Sequence, residues 1–157
     1  MNILEKIIEK KKKRLIDLKK NRPLESLLEH PTDKIGFYNF KQAIEENISN
    51  NKTSIIAEIK KASPSAGIII EDYNPVDIAN IYNANNVTCL SVLTEEDFFL
   101  GNLSHIYKIK LNSSPIEKSE INLPILCKDF FIDSYQVHLS RHYGADAILI
   151  ILAGVSD

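Results

Sequence analysis

The sequence predicts an α/β protein built on a parallel sheet. Two observations carry this: four short apolar runs and the helix-like segments that alternate with them. The runs are residues 54–58 (SIIAE), 88–93 (TCLSVL), 123–127 (LPILC) and 147–152 (AILIIL). Each is the length of a strand and too short for a core helix. Their order with the intervening segments is βαβαβαβ. That pattern leaves a barrel and a doubly wound sheet both open. No GxGxxG follows the first run, which weighs against a dinucleotide fold.

A helical preface precedes the strands. Asn2 with Glu5 forms a capping-box pattern, and Ile3, Ile7, Leu15 and Leu18 recur at helical spacing. Pro23 ends this helix. A short second helix is expected over 23–29 and a third over 39–47, followed by a polar loop at 49–53. The run at 10–14 (KKKKR) has the composition of a nucleic-acid patch. Glu5, Glu9 and Asp17 lie on the same segment, so a solvated helix face explains it better. The expected organisation is a helical extension over 1–52 and a strand-containing unit over 53–157.

Within the second unit, residues 60–72 form a loop after the first strand. Asn74-Pro75 then supplies an N-cap and a first-turn proline. Residues 94–101 are a loop carrying Phe98 and Phe99. A helix over 104–110 and a polar connection over 112–122 lead to the third strand. Asp133 or Ser134 caps the next helix, and Gly144 stops it.

Composition narrows the function classes. Hydrophobic residues make up 44% and charged residues 25%, ordinary for a globular domain. A net charge of −2 gives no global attraction to nucleic acid or an anionic membrane. No apolar run approaches the roughly 18 residues of a membrane span, and the charged N-terminus lacks a signal-peptide core. A cytoplasmic location is expected. Cys89 and Cys127 sit in apolar runs without a CxxC partner, so buried reduced thiols are expected. His138 and His142 are four apart on a helix, but no third ligand accompanies them, and a solvated face accounts for them.

The candidate chemistry lies where strands end. Glu58 and Lys60 are two apart, so they share one face of the first strand. Lys128 directly follows the third. In a parallel sheet these ends gather on one side, where barrel enzymes place their active sites. Phe98, Phe99 and Phe130 lie close by in sequence. A rim lined by phenylalanine and crossed by charges suits a flat aromatic anion. The competing explanation is an ordinary rim salt bridge with phenylalanines covering helix ends.

These segments resemble the indole-3-glycerol phosphate synthase family. Residues 57–67 (AEIKKASPSAG) are similar to its first-strand signature, and Asn74-Pro75 to the start of its first barrel helix. Residues 90–95 with Phe98, Phe99 and Gly101 resemble the second strand and loop. Residues 123–130 (LPILCKDF) with Ile132-Asp133 and Tyr135-Gln136 resemble the third, and 144–149 (GADAIL) the fourth. Ala66 departs from the lysine or glycine common there, and the 112–122 connection is longer than usual.

The resemblance implies a (β/α)8 TIM barrel of which this chain carries about the first four strands, after an N-terminal helical extension. It implies the conversion of 1-(2-carboxyphenylamino)-1-deoxyribulose 5-phosphate to indole-3-glycerol phosphate, carbon dioxide and water, in tryptophan biosynthesis. No metal or organic cofactor is implied. Lys128 would be the acid of ring closure, with Glu58 and Lys60 the acid/base and substrate-contacting pair. Ser63 would contact the substrate's anionic groups, and Leu93, Phe99 and Phe130 would pack around its ring.

A complete barrel needs about 200 residues or more, so the chain's 157 residues are expected to form half of one. Inward-facing Ile56 and Leu126 would then be uncovered and two strand edges open. The expected partners are a small phosphorylated substrate and either a second polypeptide completing the barrel or further copies of the chain. Little turnover is expected from the chain alone. The alternative is a half-barrel that is not catalytic, either a remnant or an oligomeric scaffold.

Overall fold

The computed structural model describes residues 2–29, 35–111 and 121–154. Most of the 112–122 connection lies outside them. Helix α1 (Ile3–Asn21) opens as the capping box requires: Asn2 Oδ1 accepts the Glu5 N–H, and the Glu5 carboxylate accepts the Asn2 N–H, both at 2.9 Å. It ends just before Pro23. Helices α2 (Leu24–Glu29) and α3 (Phe40–Ser49) follow, the latter capped by Asn39.

The run at 10–14 is a solvated face only in part: Lys10, Lys12 and Lys13 are exposed, but Lys11 is buried. Ile7, Lys11 and Leu15 are spaced by four and share the buried stripe of α1. Lys11 therefore lies inside, against an anion, while Arg14 is paired beside it.

Strands β1 (Ile56–Ile59), β4 (Cys89–Leu93), β5 (Ile125–Lys128) and β6 (Ala147–Ile148) form one parallel sheet in the order β1-β4-β5-β6. Helices α4 (Pro75–Ala84), α5 (Leu103–Leu111) and α6 (Tyr135–His142) connect successive strands. Asn74 caps α4 through its side chain, with Pro75 in the first turn. Of the two candidate caps for α6, Asp133 does the work: its Oδ1 accepts the Tyr135 N–H at 2.9 Å, whereas Ser134 makes no side-chain cap.

Two features differ from the sequence expectation. The loop after β1 contains a two-residue ribbon, β2 (Ala62–Ser63) against β3 (Gly67–Ile68), turned by Gly67 at φ +68°. β6 is only two residues long, not the six of its apolar run. It pairs with β5 at Ala147 and Ile148 alone, and Leu152 beyond it is 80% exposed. The strand extends only where β5 offers it hydrogen bonds, at those two positions.

Period two sorts the strands into two faces. Ile59, Leu90, Val92, Ile125 and Cys127 point toward the helices and pack with Ala79 of α4 and Ile106 and Ile109 of α5. Each fully buried aliphatic side chain is worth about 1.5–3 kcal/mol, so this layer holds the sheet to its helices. Cys89 and Cys127 are free buried thiols, pushed by burial up to about 11 and about 12 respectively. The opposite face carries Ile56, Glu58, Ser91, Leu126 and Lys128, with Glu58, Ser91 and Leu126 level in register. Ile56 is 48% exposed there.

The preceding segments brace both ends of the sheet. At the N-terminal ends, the Tyr38 N–H donates to Asp146 Oδ1 at 3.0 Å and Asn47 donates to Thr88 Oγ1 at 2.9 Å. Asp146 also takes the Ile125 N–H and pairs with Lys110 at 2.6 Å; the two side chains are 0% and 2% exposed. At the C-terminal ends α1 crosses the loops after β4 and β5. Arg14 bonds Asp97 at 2.6 and 2.8 Å and also Glu96, Lys11 bonds Asp129 at 2.7 Å, and Lys19 bonds Asp133 at 2.6 Å.

Candidate active site

Glu58 is the centre of the charged group at the C-terminal end of the sheet. Its Oε1 lies 2.6 Å from the Lys60 ammonium, and its Oε2 accepts a hydrogen bond from Lys128. Sequence spacing puts Glu58 and Lys60 on one face. The sheet order brings in Lys128, because β4 alone separates β1 from β5. All three side chains are about one-third exposed, so small molecules can reach them. Burial works to raise the Glu58 pKa, but the hydrogen bonds and charges of Lys128 and Lys60 outweigh it. The carboxyl is held below its usual range and is ionised at neutral pH.

The aromatic residues gather as well. The rings of Phe99 and Phe130 have centroids 6.2 Å apart at 40°, within the range of favourable ring contacts. Leu93 is level with Lys128 in the β4–β5 register and is buried. Ser63 stands apart on the ribbon. Its Oγ accepts the Ala66 N–H at 3.2 Å and lies 3.4 Å from Ser65 Oγ, contacts confined to its own turn.

Several residues that shape this end of the sheet carried no role in the sequence reading. Glu95 is 1% exposed, and its carboxylate accepts the N–H groups of Asp97, Phe98 and Phe99, which fixes the loop bearing Phe99. Gly101 closes that loop. A Cβ there would lie 2.4 Å from the Leu93 carbonyl oxygen. Gln136 ties down the other loop, donating to the Phe130 carbonyl at 2.9 Å and accepting the Ile132 N–H at 2.8 Å. Asp129 accepts from Lys11, Thr94 and its neighbour's backbone. A polar pair such as Thr94-Glu95 directly after an apolar strand, and a lysine in the stripe of Ile7 and Leu15, are the sequence signals that point to them.

The sequence model for indole-3-glycerol phosphate synthase matches residues 4–157. The chain belongs to the indole-3-glycerol phosphate synthase family. Proteins named indole-3-glycerol phosphate synthase from Trichodesmium erythraeum and Alkaliphilus metalliredigens are each 42% identical to it, over 99% and 98% of this chain. One from Polaromonas naphthalenivorans is 39% identical over 99% of it. These alignments cover 49%, 55% and 56% of the respective relatives, so the chain spans about half their length. Four parallel strands with helices on one face are consistent with part of the TIM barrel of an indole-3-glycerol phosphate synthase. Among the described residues, no helix is long and apolar enough to cross a membrane.

Proposed function

We propose that this chain supplies the first-half residues of an indole-3-glycerol phosphate synthase active site, acting on 1-(2-carboxyphenylamino)-1-deoxyribulose 5-phosphate. The observation that carries the reading is the Glu58 carboxylate held between the Lys60 and Lys128 ammoniums at the C-terminal ends of β1 and β5. Membership of the family supports it.

The chemistry suits the residue types. In ring closure the aromatic carbon bearing the carboxylate attacks the ketone, whose oxygen must gain a proton. The Lys128 ammonium is the acid for that step. Loss of carbon dioxide then returns the electron pair to the ring. Dehydration removes the new hydroxyl as water and a proton from the adjacent carbon, which needs an acid and a base. Glu58 is ionised, so it serves as base and as the anchor of the lysines, with Lys60 as the cation against the departing hydroxyl or the substrate's anionic groups. Leu93, Phe99 and Phe130 form the apolar wall for the aromatic ring, and Ser63 reaches the anionic end.

The sheet face carrying these groups is open at Ile56, and the relatives are about twice as long. Appreciable turnover therefore requires the remaining strands. The test is formation of indole-3-glycerol phosphate, followed by indole fluorescence, with the purified chain alone and with a separately expressed second half of a complete synthase. Product only in the mixture is expected. Soluble chain that makes no product in either case would replace this reading with a half-barrel that is not catalytic.

A further inference from the structure

Asp129 stands between the proposed acid Lys128 and the ring-packing Phe130, and its carboxylate meets Lys11 of α1. Its Oδ1 accepts from the Lys11 ammonium and from the Phe130 N–H, each at 2.7 Å, and its Oδ2 accepts from the Thr94 hydroxyl at 3.0 Å. The Thr94 N–H in turn donates to the Lys128 carbonyl at 3.1 Å. Both charged side chains are about nine-tenths buried. One carboxylate thus ties three elements together at the residue joining Lys128 to Phe130. Three residues along the same face of α1, Arg14 grips Asp97 and Glu96 on the loop that carries Phe99.

We propose that Lys11 and Asp129 are positioning residues: by anchoring the end of β5 to α1 they fix where Lys128 and Phe130 stand, and so make α1 a working part of the site. This rests on the reading of Lys128 as the acid. The physical argument is the cost of an unpaired buried charge. Without Lys11, the Asp129 carboxylate is relieved by turning to solvent. It then releases the Phe130 N–H and the Thr94 hydroxyl, and the peptide between Lys128 and Phe130 is free to rotate. Displacing a reacting group by about 1 Å can cost about a hundredfold in rate. The lysine-rich run of the first helix thereby acquires a role that neither a nucleic-acid patch nor a solvated face provides.

The test uses the full chain with Lys11→Met, which keeps the aliphatic stem packed, and Lys11→Arg as the conservative variant. Three quantities are read: the melting temperature, the Lys128 ammonium signal by nitrogen NMR in the chain alone, and kcat and KM in the mixture with the second half. Lys11→Met is expected to move the Lys128 signal, weaken the Phe99–Phe130 ring contact seen by proton NMR, and lower kcat about tenfold or more with KM within about twofold. Lys11→Arg is expected to restore the signal and most of kcat. A Lys11→Met chain that melts lower but keeps the Lys128 signal and kcat overturns the proposal and leaves a purely structural ion pair. If that variant does not fold, Thr94→Val, which removes one bond to Asp129 and keeps the ion pair, decides by the same signals. Failure of the wild-type mixture to make product would count against the enzymatic reading only, because the Lys128 signal still tests the positioning.

Discussion

Glu58 and Lys128 share a hydrogen bond although 70 residues separate them and the whole of β4 lies between their strands. β4 presents Ser91, a small residue, level with Glu58. The carboxylate and the ammonium meet across that strand, and Lys60 closes on the other oxygen.

If Lys128 is the acid of ring closure, replacing it removes a proton donor worth about a hundred- to ten-thousandfold in rate. Lys128→Met is expected to lower kcat in the mixed-halves assay by that order. Glu58→Gln is expected to lower it as well while leaving the fold intact. Unchanged kcat in Lys128→Met would remove this residue from the chemistry.

The Glu58 carboxyl is expected to titrate below the ordinary glutamate range, because the two lysines outweigh its burial. The sign follows from linkage. A depressed folded pKa contributes stability that is present above the unfolded value and is lost as pH falls through the folded one. Carboxyl-carbon NMR of the folded chain measures this directly. Lys60→Met and Lys128→Met should each move the titration upward, and a wild-type carboxyl that titrates at or above the ordinary glutamate range would contradict the geometry.

At the opposite end, Asp146 neutralises Lys110 in full burial, and burial lowers the lysine's pKa against the pull of that carboxylate. Asp146→Asn removes the carboxylate that pairs with Lys110 in the interior and is expected to cost about 3–5 kcal/mol. Adding Lys110→Met in that background should recover much of the loss, since an apolar replacement of a buried pair is often close to neutral. Urea midpoints at constant slope measure both.

Gly101→Ala is expected to destabilise the chain by about 1–3 kcal/mol, the usual cost of overpacking. The added methyl would meet the Leu93 carbonyl at 2.4 Å and the Thr94 backbone at 2.8 Å, atoms that cannot move without shifting the end of β4. A melting temperature equal to wild type would show that the loop bearing Phe99 has room to give.

The sequence by itself determined the local elements. Asn2 with Glu5, Asn39 and Asn74-Pro75 start helices through bonds made within four residues, and four apolar runs form strands because their side chains exclude water. It also put Glu58 and Lys60 on one face, since strand alternation is a property of the backbone. The length of β6 was not legible, because a strand extends only where a neighbour offers hydrogen bonds, and that neighbour belongs to the tertiary structure. Nor could the sequence foresee that Lys11 would be buried on Asp129 while Lys13 stays exposed beside Glu9. A charge run looks uniform until a helix is docked, and docking decides which position meets an anion and which meets water. The meeting of Lys128 with Glu58 was decided in the same way: composition supplied the charges, and the parallel order of β1, β4 and β5 brought them within reach of one another.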